Sequence, residues 1–175
     1  MRRYALLLPF ALAVSGAAAQ PRPGIQTLQM DPDHASVGVT LGGAKSRFTQ
    51  AAGALQYDPA SPEKSTIARS LDTSSIEASA ARQPFDPDHF PELRIISTAA
   101  AKSGKDGVES LPVNVTIRDI TRPVTFLVSF KNGGPVIAMH AEGTVHGADF
   151  HMMGKTGDVV LVIDAPFVRV GRDQP

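Results

Sequence analysis

The sequence predicts an all-β protein, a single antiparallel sandwich or barrel of about eight strands. Three observations carry that expectation. Apolar residues recur with period two in run after run, and alternate residues of a strand face opposite sides, so each run presents one oily face. Turn residues punctuate the runs roughly every 8–12 residues, the rhythm of sandwiches and barrels. No stretch between the runs has helical spacing long enough for a crossover helix, which argues against repeated βαβ units.

The elements follow in chain order. After the loose "PRPGIQT", the segment "HASVGVTL" alternates, with Ala35, Val37, Val39 and Leu41 on one side and Ser36, Gly38 and Thr40 on the other. "GGAKS" reads as a break, and a weaker strand is expected over 48–57. "DPASPEKS" reverses the chain, because Pro presets φ and Asp bonds its own turn backbone. A strand follows over 65–71, and "DTSSIEASAARQPF" holds a short helix in which Ile76 has few apolar companions. In "FDPDHFPELRIISTAA" the prolines after Asp86 and Phe90 push those residues toward extended backbone, ahead of a strand over 93–99.

"KSGKDG" is a hairpin-like loop before a strand over 108–117, in which Val113, Val115 and Ile117 share a face. A charged, Thr-rich turn with Arg122-Pro123 leads to Val124, Phe126, Val128 and Phe130 on one face of the next strand. Asn132-Gly133 is a hairpin turn, since both residues tolerate positive φ. Strands over 136–145 and 157–170 complete the set.

The first residues are expected to be an export signal. "MRRYALLLPFALAVSGAAAQ" has two arginines, an apolar run from Ala5 to Val14 and small residues up to Ala19. That run falls short of the ~20 apolar residues a comfortable span needs. The expected organisation is a signal peptide over 1–19 cleaved after Ala19, a flexible segment over 20–30, a β-domain over 31–170 and a tail over 171–175. Basic and acidic residues number 17 each, and loss of Arg2 and Arg3 leaves a slightly acidic product. That balance lacks the basic footprint of a nucleic-acid binder. With no cysteine in the chain, disulfides, thiolate chemistry and cysteine metal sites are excluded.

Catalysis has no positive signal. No Ser/His/Asp spacing stands out, "GGAKS" lacks the Gly-Lys-Ser/Thr order of a phosphate loop, and no paired carboxylates flank an evident pocket. His140, His146 and His151 lack the close spacings of zinc motifs, so no metal is expected, and Met152-Met153 reads as core filler.

The order of segments resembles the YceI-like lipid- or polyisoprenoid-binding family. The resemblance rests on "DPDHASVGVTL", "GALQYDPASPEKSTIARSLDTSSIEA", "FDPDHFPELRIISTAA", "VNVTIRDITRPVTFLVSF", "AEGTVHGADFHM" and "GDVVLVIDAPF". It implies an extended, lipocalin-like antiparallel barrel in the periplasm, with no catalytic cofactor and a polyprenyl or quinone-like lipid inside. It allows transient contact with the membrane surface, as monomer or homodimer. Leu28 stands where the family carries an aromatic, and His146 and His151 where it carries arginine and glycine.

The expected tunnel lining is Val37, Val39, Leu41, Phe48, Phe85, Phe90, Val113, Val115, Ile117, Val124, Phe126, Val128, Phe130, Val159, Leu161 and Ile163. The period says which way these side chains face; core packing and ligand contact would both use that face. Arg118 and Arg122 are the head-group candidates, with an ion pair to Asp119 as the plainer role. The second functional reading is a ligand-free β-domain, an accessory or structural module of the envelope.

Overall fold

Period-two alternation runs through most strands of the computed structural model, which describes residues 24–61, 64–99, 101–104, 106–152 and 157–169. The strands are β1 (Gln26–Met30), β2 (Ser36–Leu41), β3 (Ala44–Phe48), β4 (Ala51–Tyr57), β5 (Thr66–Asp72), β6 (Glu92–Ser97), β7 (Lys102–Ser103), β8 (Glu109–Ile117), β9 (Ile120–Asn132), β10 (Val136–His146) and β11 (Asp158–Arg169), with one short helix, α1 (Ser79–Arg82). Hydrogen-bonded neighbours run β1-β4-β5-β6-β8-β9-β10-β11, and β11 returns to β1. The result is a closed antiparallel barrel of eight staves, as the alternation and the family resemblance lead one to expect. Two staves are broken strands: β2 continues β1 along β11, and β3 continues β4.

The first break is a bulge over residues 31–35. Met30 faces Phe167 and Ser36 faces Asp164, so one chain takes six steps where its partner takes three. The Asp31 amide donates to the Pro166 carbonyl at 3.0 Å, and its carboxylate accepts from the Asp33 amide at 3.1 Å. The second break, at Thr49 and Gln50, is held by Ser75. The Ser75 carbonyl accepts from the Thr49 amide at 3.1 Å, and its hydroxyl accepts from the Gln50 amide at 3.1 Å. The outer edge of β3 is covered too, because Phe48 bridges Ile76 and the Glu77 amide donates to the Arg47 carbonyl at 3.0 Å.

Several expectations need correction. Residues 26–30, assigned above to a flexible segment, form β1 and close the ring through Leu28 and Met30. The "GGAKS" break is only Gly42-Gly43, with φ of 53° and 86°, the pair of positive values that a two-residue hairpin requires. The turn before β9 is likewise only Arg118-Asp119, with φ of 51° and 66°. Ile76 is fully buried rather than short of companions. It lies by Phe48, whose ring meets Phe85 edge-on at 6.1 Å where α1 and a 3₁₀ turn over Gln83–Phe85 cover one end of the barrel. The expected signal peptide and C-terminal tail lie outside the described residues.

One ladder is short. β10 and β11 pair over eleven residues and β8 with β9 over nine, but β9 pairs β10 only from Leu127 to Asn132. Pro123 supplies part of the reason. In a two-residue hairpin the flanking pair, Ile117 and Ile120, is hydrogen-bonded and bonded pairs then alternate, so Pro123 falls in a non-bonded pair with Asn114. Its ring nitrogen points toward β10 and carries no proton to donate. The ladder has ended by Leu127, Pro123 keeps the strands from pairing again beyond it, and the Phe126 ring lies over Gly143, where a β-carbon would overlap it.

Phe126 is fully buried and Thr125 exposed on the same strand. Phe126→Asp is therefore expected to lower unfolding stability by several kcal/mol or to raise the new carboxyl's pKa, while Thr125→Asp should cost ~0.5 kcal/mol or less. Gly143→Val should be damaging despite the good β-propensity of valine, because the Phe126 ring must leave its place. Urea denaturation of the three variants checks this, and a tolerated Phe126→Asp beside a damaging Thr125→Asp would reverse the facing assignment.

Candidate functional site

The lumen is built from the inward phase of every stave. Of the sixteen residues expected to line it, thirteen are buried: Val37, Val39 and Leu41 on β2, Phe48 on β3, Phe85 in the end cap, Val113, Val115 and Ile117 on β8, Phe126 and Val128 on β9, and Val159, Leu161 and Ile163 on β11. Val124 and Phe130 are half-buried against them, and Phe90 is half-buried in the loop before β6. The staves left off that expected lining contribute as much. Leu55, Ile67, Leu71, Leu93 and Ile95 on β4, β5 and β6 are buried, as are Ile137, Met139 and Val145 on β10. The same period of two marks them in sequence.

Arg118 and Arg122 sit outside this lining. The Arg118 guanidinium lies over the Phe90 ring at 5.3 Å, approaches Asp86 at 3.8 Å and donates to the His151 carbonyl. It therefore fastens three segments at the capped end: the β8–β9 turn, the loop before β6 and the turn after a 3₁₀ segment over Gly147–Phe150. Its acidic partner is Asp86, not the neighbouring Asp119. Arg122 is exposed and donates to the Thr121 carbonyl at 3.1 Å. It stands on the rim of a groove of about 380 Å³ where β9 and β10 part. Val124, Val145 and Phe150 form the apolar part of that groove, and Glu142, His146 and Asp149 its polar part.

The charged residue missed from sequence is Arg69. It follows Ile67 and precedes Leu71 in the inward phase of β5, and it is buried with them. Its side chain crosses Gly53 of β4, where an added β-carbon would meet Arg69 Cγ at 3.0 Å. The guanidinium reaches Met30 Sδ at 2.7 Å and lies 5.1 Å from the Phe167 ring centre. Burial lowers its pKa to about 10, so it keeps its proton at neutral pH. That depression corresponds to a penalty on the order of 3 kcal/mol against the folded state, present below the lowered value and relieved as pH rises through it. The signal in sequence was an arginine in an otherwise apolar phase.

The histidines pair with acids on the outer surface. Across β10 and β11, His140 Nδ1 lies 2.7 Å from Asp164 and His146 Nδ1 lies 2.6 Å from Asp158. His151 is held through its backbone, its amide donating to the Ala148 carbonyl at 3.2 Å and its carbonyl accepting from Arg118. Among the described residues, no group of three potential metal ligands comes together.

Comparison with known proteins places this geometry. The YceI-like domain matches residues 28–167. A UPF0312 protein of Pseudomonas putida is 28% identical over 116 residues, covering 58% of this chain and 60% of the relative, so the chain spans less than two thirds of that protein's length. The crystal structure of Burkholderia cenocepacia BcnA superposes with a TM-score of 0.71 at 14% identity, over 78% of this chain and 98% of the other. The Campylobacter jejuni YCEI protein gives 0.62 at 14% identity, over 73% and 85%. These likenesses in structure establish a shared fold.

The bond to Asp158 and then the Asp158 charge raise the His146 imidazole above its ordinary pKa. A proton held more tightly in the folded state stabilises it fully below the ordinary value, and that support fades as pH rises through the raised one. The pair is exposed, so its effect on stability is small. Proton NMR titration should find His146 above ~6.5, and Asp158→Asn should return it toward that value. An unmoved midpoint would contradict the pairing.

Proposed function

This chain belongs to the YceI-like family, and on that premise we propose that it binds and carries a long apolar, isoprenoid-like lipid in the barrel interior, without catalysis. The observation that carries the reading is the lining itself, apolar round the closed barrel except at Arg69 on β5. Burial of hydrocarbon contributes ~0.8 kcal/mol per methylene, so roughly ten methylenes give about 8 kcal/mol before the cost of ordering the chain. An amphiphile with a polyprenyl or quinone-like tail fits that chemistry. The groove where β9 and β10 part would serve as the entry if the Phe126 ring beside Gly143 moved aside, with Arg122 at its rim for a polar head. The N-terminal pattern supports export to the periplasm, and transient contact with a membrane surface would load and unload the protein, as monomer or homodimer.

One observation favours a second reading, a ligand-free envelope module. Phe126 and Phe167 are large, fully buried and directed into the lumen, and the Phe126 ring reaches across to Gly143. Side chains placed this way can fill a barrel to ordinary packing density.

Native mass spectrometry of protein purified without detergent distinguishes the two. Carriage predicts an excess mass that organic extraction removes and that an offered quinone or polyprenol restores. A homogeneous apo mass with no uptake of either would contradict it.

A further inference from the structure

Arg69 is the only buried charged side chain among the described residues. Buried cations are ordinarily matched by a carboxylate, because removing a charge from water is costly unless it is paired. None pairs with Arg69 among the described residues, and desolvation alone acts on its acidity. Nη1 rests against the Met30 thioether, a weak acceptor on a flexible side chain. Nε and Nη2 are buried and have no acceptor. These two nitrogens share one edge of the planar guanidinium. That edge is the fork which grips a carboxylate or phosphate through two parallel bonds.

The surroundings are arranged to keep the fork in place. Gly53 leaves β4 without an inward side chain opposite Arg69, so the Arg69 stem can cross it toward β1 and β11. Phe167 then receives the guanidinium on its ring. A methionine or leucine at position 69 would suit an apolar core better and would orphan no donors.

We propose that Arg69 is the receptor for an oxyanion borne on an apolar chain, the carboxylate or phosphate of an amphiphile whose hydrocarbon lies along the barrel interior. This rests on the carriage reading above but replaces its rim position for the head group: the head is acidic and sits inside the wall, on Arg69 rather than Arg122. The oxyanion completes the two open bonds of the fork, while the inward methyl groups of the staves cover the tail.

The test compares cis-parinaric acid, a fluorescent polyene carboxylate, with its neutral methyl ester on the native protein and on Arg69→Met. The native protein should bind the acid about tenfold to a hundredfold more tightly than the ester, the range a charge-assisted hydrogen bond supplies. In Arg69→Met that preference should vanish while the ester binds as before, and the empty variant should melt no lower than the native protein. Equal affinity of the native protein for acid and ester would overturn the proposal and leave carriage standing. Failure to bind either would overturn both. A lower melting temperature for empty Arg69→Met, with the preference for the acid retained, would assign Arg69 a purely structural part and overturn the proposal. Displacement of the parinarate by millimolar inorganic phosphate alone would assign a free-anion site and overturn the amphiphile as its occupant.

Discussion

Closure of the sheet through β1 is the constraint on which the rest of the structure depends. β1 is short, yet it pairs β4 on one side and β11 on the other, and without it the ladder would end in two open edges. Once the ring is closed, the inward phase of every strand has one place to go. Leu28 and Met30 join it from β1, and the bulge over residues 31–35 lets β2 re-enter the ladder with Val37, Val39 and Leu41 again facing inward. A slip of one residue at that bulge would turn the whole of β2 outward, because strand side chains alternate strictly. Local backbone bonds at Asp31 and Ser75 thus decide which residues form the lumen.

Two glycines and one proline then shape that interior. Gly143 and Gly53 sit where inward side chains would otherwise stand, and each yields its space to a large neighbour, Phe126 in one case and Arg69 in the other. Pro123 keeps the β9–β10 ladder from resuming and leaves the groove lined by Val124, Val145 and Phe150. Apolar burial, a parted seam and one buried cation are consequences of backbone chemistry at three positions. At the capped end polarity is handled differently: Arg118 has an acid, an aromatic face and a carbonyl around it, and its charge is spent on holding segments together.

Most of the barrel was legible from period two, and the failures have physical causes. β2, β8, β9 and β11 carry three or more inward large aliphatic or aromatic residues each, which makes the alternation plain. β1 offers only Leu28 and Met30 after a proline-rich lead, too few to show a period. In β3 the residues before Phe48 are small or polar because that face is open to water, so the strand reads as part of a turn. Thr121-Arg122-Pro123 reads as a loop for the same reason, being exposed beside the parted ladder. Ile76 looked isolated because Phe48 and Phe85 are distant in sequence. Arg69 was missed: it shares the phase of Ile67 and Leu71, but an arginine in that phase names no partner, and only the three-dimensional neighbours reveal that its fork is open.

The lumen and the outer surface make opposite demands on where an apolar chain can lie, and one measurement separates them. A fatty acid carrying a doxyl spin label, added to methyl-labelled protein, broadens the NMR signals of methyl groups near its nitroxide. Binding inside the barrel predicts that inward Leu71, Val115 and Leu161 lose signal at lower label concentration than exposed Ile96, Val108 and Leu127. Broadening confined to the exposed methyl groups, with the inward ones untouched at saturating label, would contradict a lipid-carrying lumen.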